Sequence, residues 1–166
     1  MNELLQRLAD VERRLSEEAA RELAVGSLTA PDPATGERWD AGQVWAHLAE
    51  FPRYWLDELG RVVASARSGA AGATPFGRTK SDPGRLAAIE RDRTMDRGLL
   101  LERVTDGIAV ASAELSALDG SDWAATGSHS TLGEMSVADA VERFIVAHLE
   151  EHADQLETLR APVEAR

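Results

Sequence analysis

Four stretches of the chain carry apolar residues at spacings of three and four, and each is bounded by residues that start or stop helices. In the first, from Asn2 to Ala24, the stripe is Leu4, Leu8, Val11, Leu15 and Leu23, and Gly26 closes it. The second begins after Asp40, where Gln43 completes a capping box, and its stripe is Val44, Leu48, Phe51, Trp55, Leu59 and Val62. Pro52 lies inside this helix and is expected to kink it or cut it short. The third starts at Asp82-Pro83 and runs to Leu118 through Ile89, Leu100, Val104, Ile108, Ala111 and Leu115, with a charged stretch ending in Gly98 that bends it or faces a polar cavity. The fourth is capped by Ser136 with Asp139 and ends near Leu159, before Pro162. One apolar stripe per helix lets four helices share one core, so the expectation is an all-α protein, an up-down four-helix bundle in a single domain over residues 1–166.

Composition narrows the function classes. Aromatic residues are 5% of the chain and strong helix formers recur, so strand-type runs are scarce. The chain has no cysteine. Thiol chemistry here would need the thiol as a cosubstrate. A net charge of −11 lacks the basic footprint of general nucleic-acid binding. No run of about 18 apolar residues suggests a membrane span, and the amphipathic start lacks a signal-peptide core, so a cytoplasmic protein is expected.

The segment AHLEEHADQL puts His148 and His152 one turn apart, where the apolar spacing of the fourth helix predicts core. Burying two imidazoles without partners costs roughly 1–3 kcal/mol per unsatisfied group, and a divalent metal would satisfy both. Two other readings stand beside this one. The pair could lie on a solvated face, or HLEEH could be the H-x-x-E-H pattern of inverted zinc metalloproteases. Against the protease, no further segment follows to supply another ligand and a cleft. His47, three residues after Val44 on the second helix, can point into the same bundle and make a third ligand. Three imidazoles with an open position describe a catalytic rather than a closed structural site. Glu151 lies roughly 60° around the helix from His148, within reach of a metal-bound water or of the outer shell. His129, in the loop TGSHST, is either a solvated loop residue or a proton carrier at a pocket mouth. Tyr54 follows His47 by seven residues and could line a pocket, although half-buried packing is the plainer account. Arg93 could hold an anionic carboxylate, against the plainer account of a solvated salt bridge. Trp39, Trp45, Trp55 and Trp123 are expected in the core.

Two segments carry a family likeness. WDAGQVWAHLAEFPRYW (39–55) resembles the second helix of the DinB superfamily, with a tryptophan before the cap and a histidine within the helix. LGEMSVADAVERFIVAHLEEHADQLETLR (132–160) resembles its last helix, entered through a Gly-Glu-Met-Ser turn and carrying H-x-x-x-H followed by a glutamine. The long third helix fits more loosely. The resemblance implies a bundle with DinB connectivity and a divalent metal, zinc or nickel, held by His47, His148 and His152. It further implies a metal-dependent thiol S-transferase, or a related isomerase or hydrolase, that lowers the pKa of a low-molecular-weight thiol of mycothiol type. A homodimer acting on small molecules is implied as well. The alternative is a non-catalytic, metal- or small-molecule-binding stress-response bundle.

Overall fold

The computed structural model describes residues 2–33 and 35–161. Its long helices are α1 (Asn2–Ala19), α2 (Ala41–Arg67) and α4 (Arg97–Ser116), with the short α3 (Pro83–Asp92) between the last two and the short α5 (Gly120–Ala124) after them. The last helical rod consists of α6 (Val137–Val141), a π-helical turn over Glu142–Val146, and α7 (Ala147–Thr158). Helix α1 packs on α4 and α7, and α2 packs on the same two, so α1 and α2 stand at opposite corners of a four-helix bundle. The expected all-α bundle is therefore present, and the stripes fill it: Leu8, Leu15, Val44, Phe51, Val104 and Ile145 are each 0% exposed.

The capping boxes at Asp40–Gln43 and Ser136–Asp139 form as the sequence implies, and Asp82 accepts from the Arg85 amide ahead of α3. Three local expectations change. Helix α1 stops at Ala19, because the chain turns there to pair Leu23 with Arg160 and to bond the Ala24 amide to the Leu159 carbonyl. Helix α2 is not cut short by Pro52. Gly107 of α4 faces the ring, and a Cβ there would come within 3.4 Å of it. The third helix is two helices: the α3 hydrogen bonds end at Asp92, and Asp96 caps a new helix by accepting from the amides of Gly98 and Leu99. The last rod ends at Thr158 with Leu159 as its C-cap, as the sequence implies, and Pro162 lies outside the described residues.

A small sheet joins the loops at one end. Strand β1 (Thr74–Phe76) runs parallel to β2 (Thr126–His129), which pairs antiparallel with β3 (Gly133–Ser136). Close approach makes it possible. A Cβ on Gly127 would meet Phe76 Cδ1 at 2.6 Å and Val62 Cγ2 at 2.9 Å. The sheet anchors the segment that follows β1 over the flank of the last rod.

The π turn sets the angle of that rod. Val137, Val141, Ile145 and Leu149 are all buried. Three steps of four residues drift by about 120° on a regular α-helix, since each overshoots a turn by roughly 40°. One extra residue in the turn takes back about 100°. The buried line continues through His152 and Leu156, and Phe144 and His148 are left on the flank facing a cavity.

Candidate metal centre

His47, on α2, and His148 and His152, on α7, meet at the floor of this cavity. His148 Nε2 lies 3.1 Å from His47 Nε2 and 3.2 Å from His152 Nε2. His47 and His152 are buried, and the side chain of His148 is 28% exposed towards the cavity. Trp39 stacks on His152 with centroids 6.0 Å apart and presents its edge to His47, while Phe51 packs against the rings from below.

Each ring turns its other nitrogen to an acceptor three residues further on. His152 Nδ1 faces Gln155 Oε1 at 2.8 Å, and His148 Nδ1 faces Glu151 Oε2 at 3.2 Å. His47 Nδ1 lies 3.4 Å from Glu50 Oε2, a long contact, but both atoms are buried and neither has another partner. Glu50 is in turn ion-paired with Arg78, whose guanidinium lies 3.8 Å from the centre of the Tyr54 ring. A carboxylate or amide oxygen can only accept, so each Nδ1 carries the hydrogen and each Nε2 is a lone pair. Three lone pairs then converge with no hydrogen between them. The 3.1 and 3.2 Å spacings from His148 are close to the edge, about 3.3 Å, of a tetrahedron with metal–nitrogen bonds of about 2.0–2.1 Å. The cluster can coordinate a divalent metal ion.

The electrostatics favour the ligating form. Burial, followed by the charges of His152 and His148, holds the His47 pKa well below its ordinary value. Burial and His148 pull His152 down to about 3. Both rings stay neutral at neutral pH, the state in which imidazole binds a metal. Above them opens a cavity of about 670 Å³ with aromatic walls at Trp39, Trp55 and Phe144 and cations at Arg78, Arg85 and Arg143.

The sequence model of the DinB superfamily matches residues 2–156. The chain belongs to the DinB superfamily. The crystal structure of the mycothiol-dependent maleylpyruvate isomerase is similar to it, with a TM-score of 0.65 and 14% identity over 93% of this chain. A histidine-to-alanine mutant of that isomerase is similar with a TM-score of 0.66 and 15% identity, again over 93% of the chain. The chain spans 60% of the length of these two structures, and the likeness is one of fold. No curated protein sequence matches the chain.

Within this DinB bundle the remaining candidates separate. Glu151 lines the cavity, but its carboxylate is on the Nδ1 side of His148, away from the converging nitrogens. Its hydrogen bond to His148 holds its pKa below the usual carboxylate range. His129 is buried rather than solvated and stacks on Phe144, with centroids 5.2 Å apart. Its Nδ1 accepts from the Thr131 amide at 3.3 Å, which leaves the hydrogen on Nε2, and Nε2 is buried without a partner. Gly77, at φ +85°, allows this, since a Cβ there would lie 2.4 Å from the His129 ring. Tyr54 is half-buried under Arg78, and the cavity wall at that level is Arg78 and Trp55. Arg93 does not reach the cavity. The break between α3 and α4 leaves it at the start of α2, paired with Asp40 and with Glu90 at 3.2 Å. Trp45 is buried in the core, Trp123 is half-buried at its edge, and Trp39 and Trp55 are buried and also line the cavity.

Sequence reasoning missed Glu50, Arg78 and Arg85, and assigned no role to Gln155. A signal for two of them exists. HLAE, HLEE and HADQ place an acceptor three residues after each histidine, on the same helical face.

Proposed function

We propose that this chain is a metal-dependent enzyme of the thiol S-transferase type, or a related isomerase or hydrolase, acting on small molecules. His47, His148 and His152 hold one divalent metal, zinc or nickel. The cavity receives a low-molecular-weight thiol, of mycothiol type as in the name of the isomerase it resembles in fold, together with the electrophile. A divalent metal supplies Lewis acidity there and lowers the pKa of a bound thiol or water.

The observation that carries this reading is the convergence of three Nε2 lone pairs at the floor of a cavity, each ring held by its own acceptor. The protein's own residues orient the rings and keep them neutral. Trp39 and Phe51 exclude water from two sides of the site. Glu151 and Gln155 accept hydrogen bonds from their rings, Glu50 approaches the His47 Nδ1 at 3.4 Å, and such acceptors raise the basicity of the rings as ligands. Glu151 and His129 are the candidates for moving protons, Glu151 through the carboxylate oxygen that His148 does not hold. The protein is further taken to act in the cytoplasm as a homodimer.

The Glu151 carboxylate lies on the Nδ1 side of His148, away from the converging nitrogens, and this favours a second reading, a non-catalytic bundle that binds metal or a small molecule. Metal analysis of protein purified without a polyhistidine tag addresses both. One equivalent of zinc, nickel or a related ion is expected, and His148→Ala and His152→Ala should each abolish stoichiometric binding while His129→Ala does not. Less than a tenth of an equivalent, with no tight binding on titration, would remove the enzyme reading. A thiol that shifts the absorption spectrum of the cobalt-substituted protein supports the transferase. A metal that accepts no exogenous ligand supports the second reading.

A further inference from the structure

The chain is acidic, with a net charge of −11, yet the cavity wall gathers four cationic side chains: Arg78, Lys80, Arg85 and Arg143. Two of them are already paired, Arg78 with Glu50 and Lys80 with Asp32 at 2.5 Å. Arg85 is different. Its residue is 9% exposed, and no carboxylate among the described residues lies within salt-bridge distance of it. Its guanidinium donates to the Lys80 carbonyl at 2.8 Å and lies 5.1 Å from the centre of the Trp39 ring, the ring that also stacks on His152. Arg143, exposed and on the π turn across the cavity, makes no ion pair or side-chain hydrogen bond among the described residues.

A guanidinium this deep is expensive to leave without an anion, because buried charges are stable when paired. Burial first, then the neighbouring charge of Arg78, disfavours the protonated form of Arg85, and Glu50, Glu37 and Asp32 offset this only in part, from beyond salt-bridge distance. The carboxylates around the cavity act on Arg85 from a distance, and none forms an ion pair with it. Asp32 is held by Lys80, Glu50 by Arg78, and Glu151 by His148. Glu37 lines the cavity from an exposed position and forms no salt bridge with Arg85. An arginine fork matches the two oxygens of a carboxylate or phosphate, and stacking against an aromatic face holds it flat for that contact.

We infer that Arg85 forms an oxyanion subsite at the metal-facing cavity, with Arg143 as a second contact, so that the small molecule taken there carries a carboxylate or phosphate group. The inference rests on the proposed role of the cavity as a small-molecule site and deepens it by naming the ligand's charge. The Trp39 ring, shared by Arg85 and His152, places the subsite beside the metal centre. An oxyanion on Arg85 would orient the rest of the ligand over the converging histidine nitrogens.

The test is calorimetric titration of the intact protein, metal-free and zinc-loaded, with benzoate, phenyl phosphate and the uncharged analogue benzamide. The aromatic walls accommodate the shared ring. At least one oxyanion should bind about tenfold or more tightly than benzamide, as charge-assisted hydrogen bonds to a buried arginine imply. Which of benzoate and phenyl phosphate binds better tells carboxylate from phosphate. Arg85→Gln should erase the preference, and Arg143→Gln, an exposed change that does not touch the core, should reduce it. Arg85→Lys, which keeps the charge but loses the fork, should restore part of it in a folded protein verified by circular dichroism. Zinc stoichiometry of each variant is measured alongside. A preference that vanishes with Arg85→Gln while zinc still binds supports the subsite independently of the chemistry. If the parent protein shows the preference but binds no zinc, the enzyme reading fails and the subsite stands. If neither oxyanion outbinds benzamide, or Arg85→Gln leaves the preference intact, the inference is overturned.

Discussion

The acceptors behind the three histidines allow a graded prediction. Removing a ring's hydrogen-bond partner typically costs 10–100-fold in metal affinity, or about 1.4–2.7 kcal/mol. The three acceptors differ in what can replace them. The side chain of Glu151 is 62% exposed, so water can take its place on His148, and Glu151→Ala should fall at the low end. Gln155, half-buried, makes the shortest contact, 2.8 Å to a ring that is 4% exposed, and Gln155→Ala should fall at the high end. Glu50→Ala should do two things. It frees His47, and it leaves Arg78, whose side chain is 10% exposed, without its counter-charge. Breaking a buried pair by removing one partner costs about 3–5 kcal/mol, so the metal-free Glu50→Ala protein should also lose stability, unlike the other two. Competition titration against a chelator of known zinc affinity reads the first effect, and urea unfolding followed by tryptophan fluorescence reads the second. The reasoning is wrong if Glu151→Ala weakens zinc as much as Gln155→Ala. It is also wrong if Glu50→Ala leaves the metal-free protein as stable as the parent.

Other expectations can be checked on the same preparations. Zinc at a hundredfold excess over its dissociation constant should add about 2.7 kcal/mol of stability, which for a chain of this size is a rise in Tm of about 5–11 °C. A scan that shows no rise with the parent protein speaks against a metal site. Gly127→Ala forces a methyl against Phe76 and Val62, and overpacking of this kind should cost about 1–3 kcal/mol in urea unfolding. An unchanged midpoint would mean that β1 and β2 do not pack as described. Arg67 holds the Asp122 carboxyl below its usual pKa, so the pair contributes stability above the unfolded carboxyl value and loses it as pH falls towards the folded one. Arg67→Met should therefore flatten the acid side of the stability profile, and a profile identical to that of the parent would show that the bond contributes nothing.

The sequence exposed those parts of the molecule that are governed by local repetition. Val44, Leu48, Phe51 and Trp55 repeat at helical spacing because one helix buries one stripe, and the Asp40 box is legible because a cap involves residues only three apart. The break at Arg93–Asp96 was signalled by charge and Gly98, but its consequence for Arg93 was not, since pairing with Asp40 depends on how α3 docks on α2. Strands of three or four residues such as TGSH and GEMS are too short to show alternation, so the sheet was invisible, and with it the seat of His129 against Gly77. The π turn left a trace: buried residues at 137, 141, 145 and 149 are spaced by four throughout, a run that a regular α-helix cannot keep on one face.

The site divides in the same way. The histidines and their acceptors lie on two helices, and an offset of three brings each acceptor beside its ring whatever the tertiary fold. Arg85 has no such local signature. It reaches the Trp39 ring only because α3, which follows the sheet-anchored β1, packs against α2. Residues that hold a metal can therefore be read from helical spacing, while the residue that would choose the ligand sits on a short helix whose place against the cavity is set by tertiary packing. The histidine cluster and the Arg85 wall can then vary separately, because a substitution in α3 changes the charge of the cavity without touching a ring or its acceptor. Arg85→Gln, with zinc stoichiometry kept and oxyanion preference lost, is the variant in which that separation should be seen.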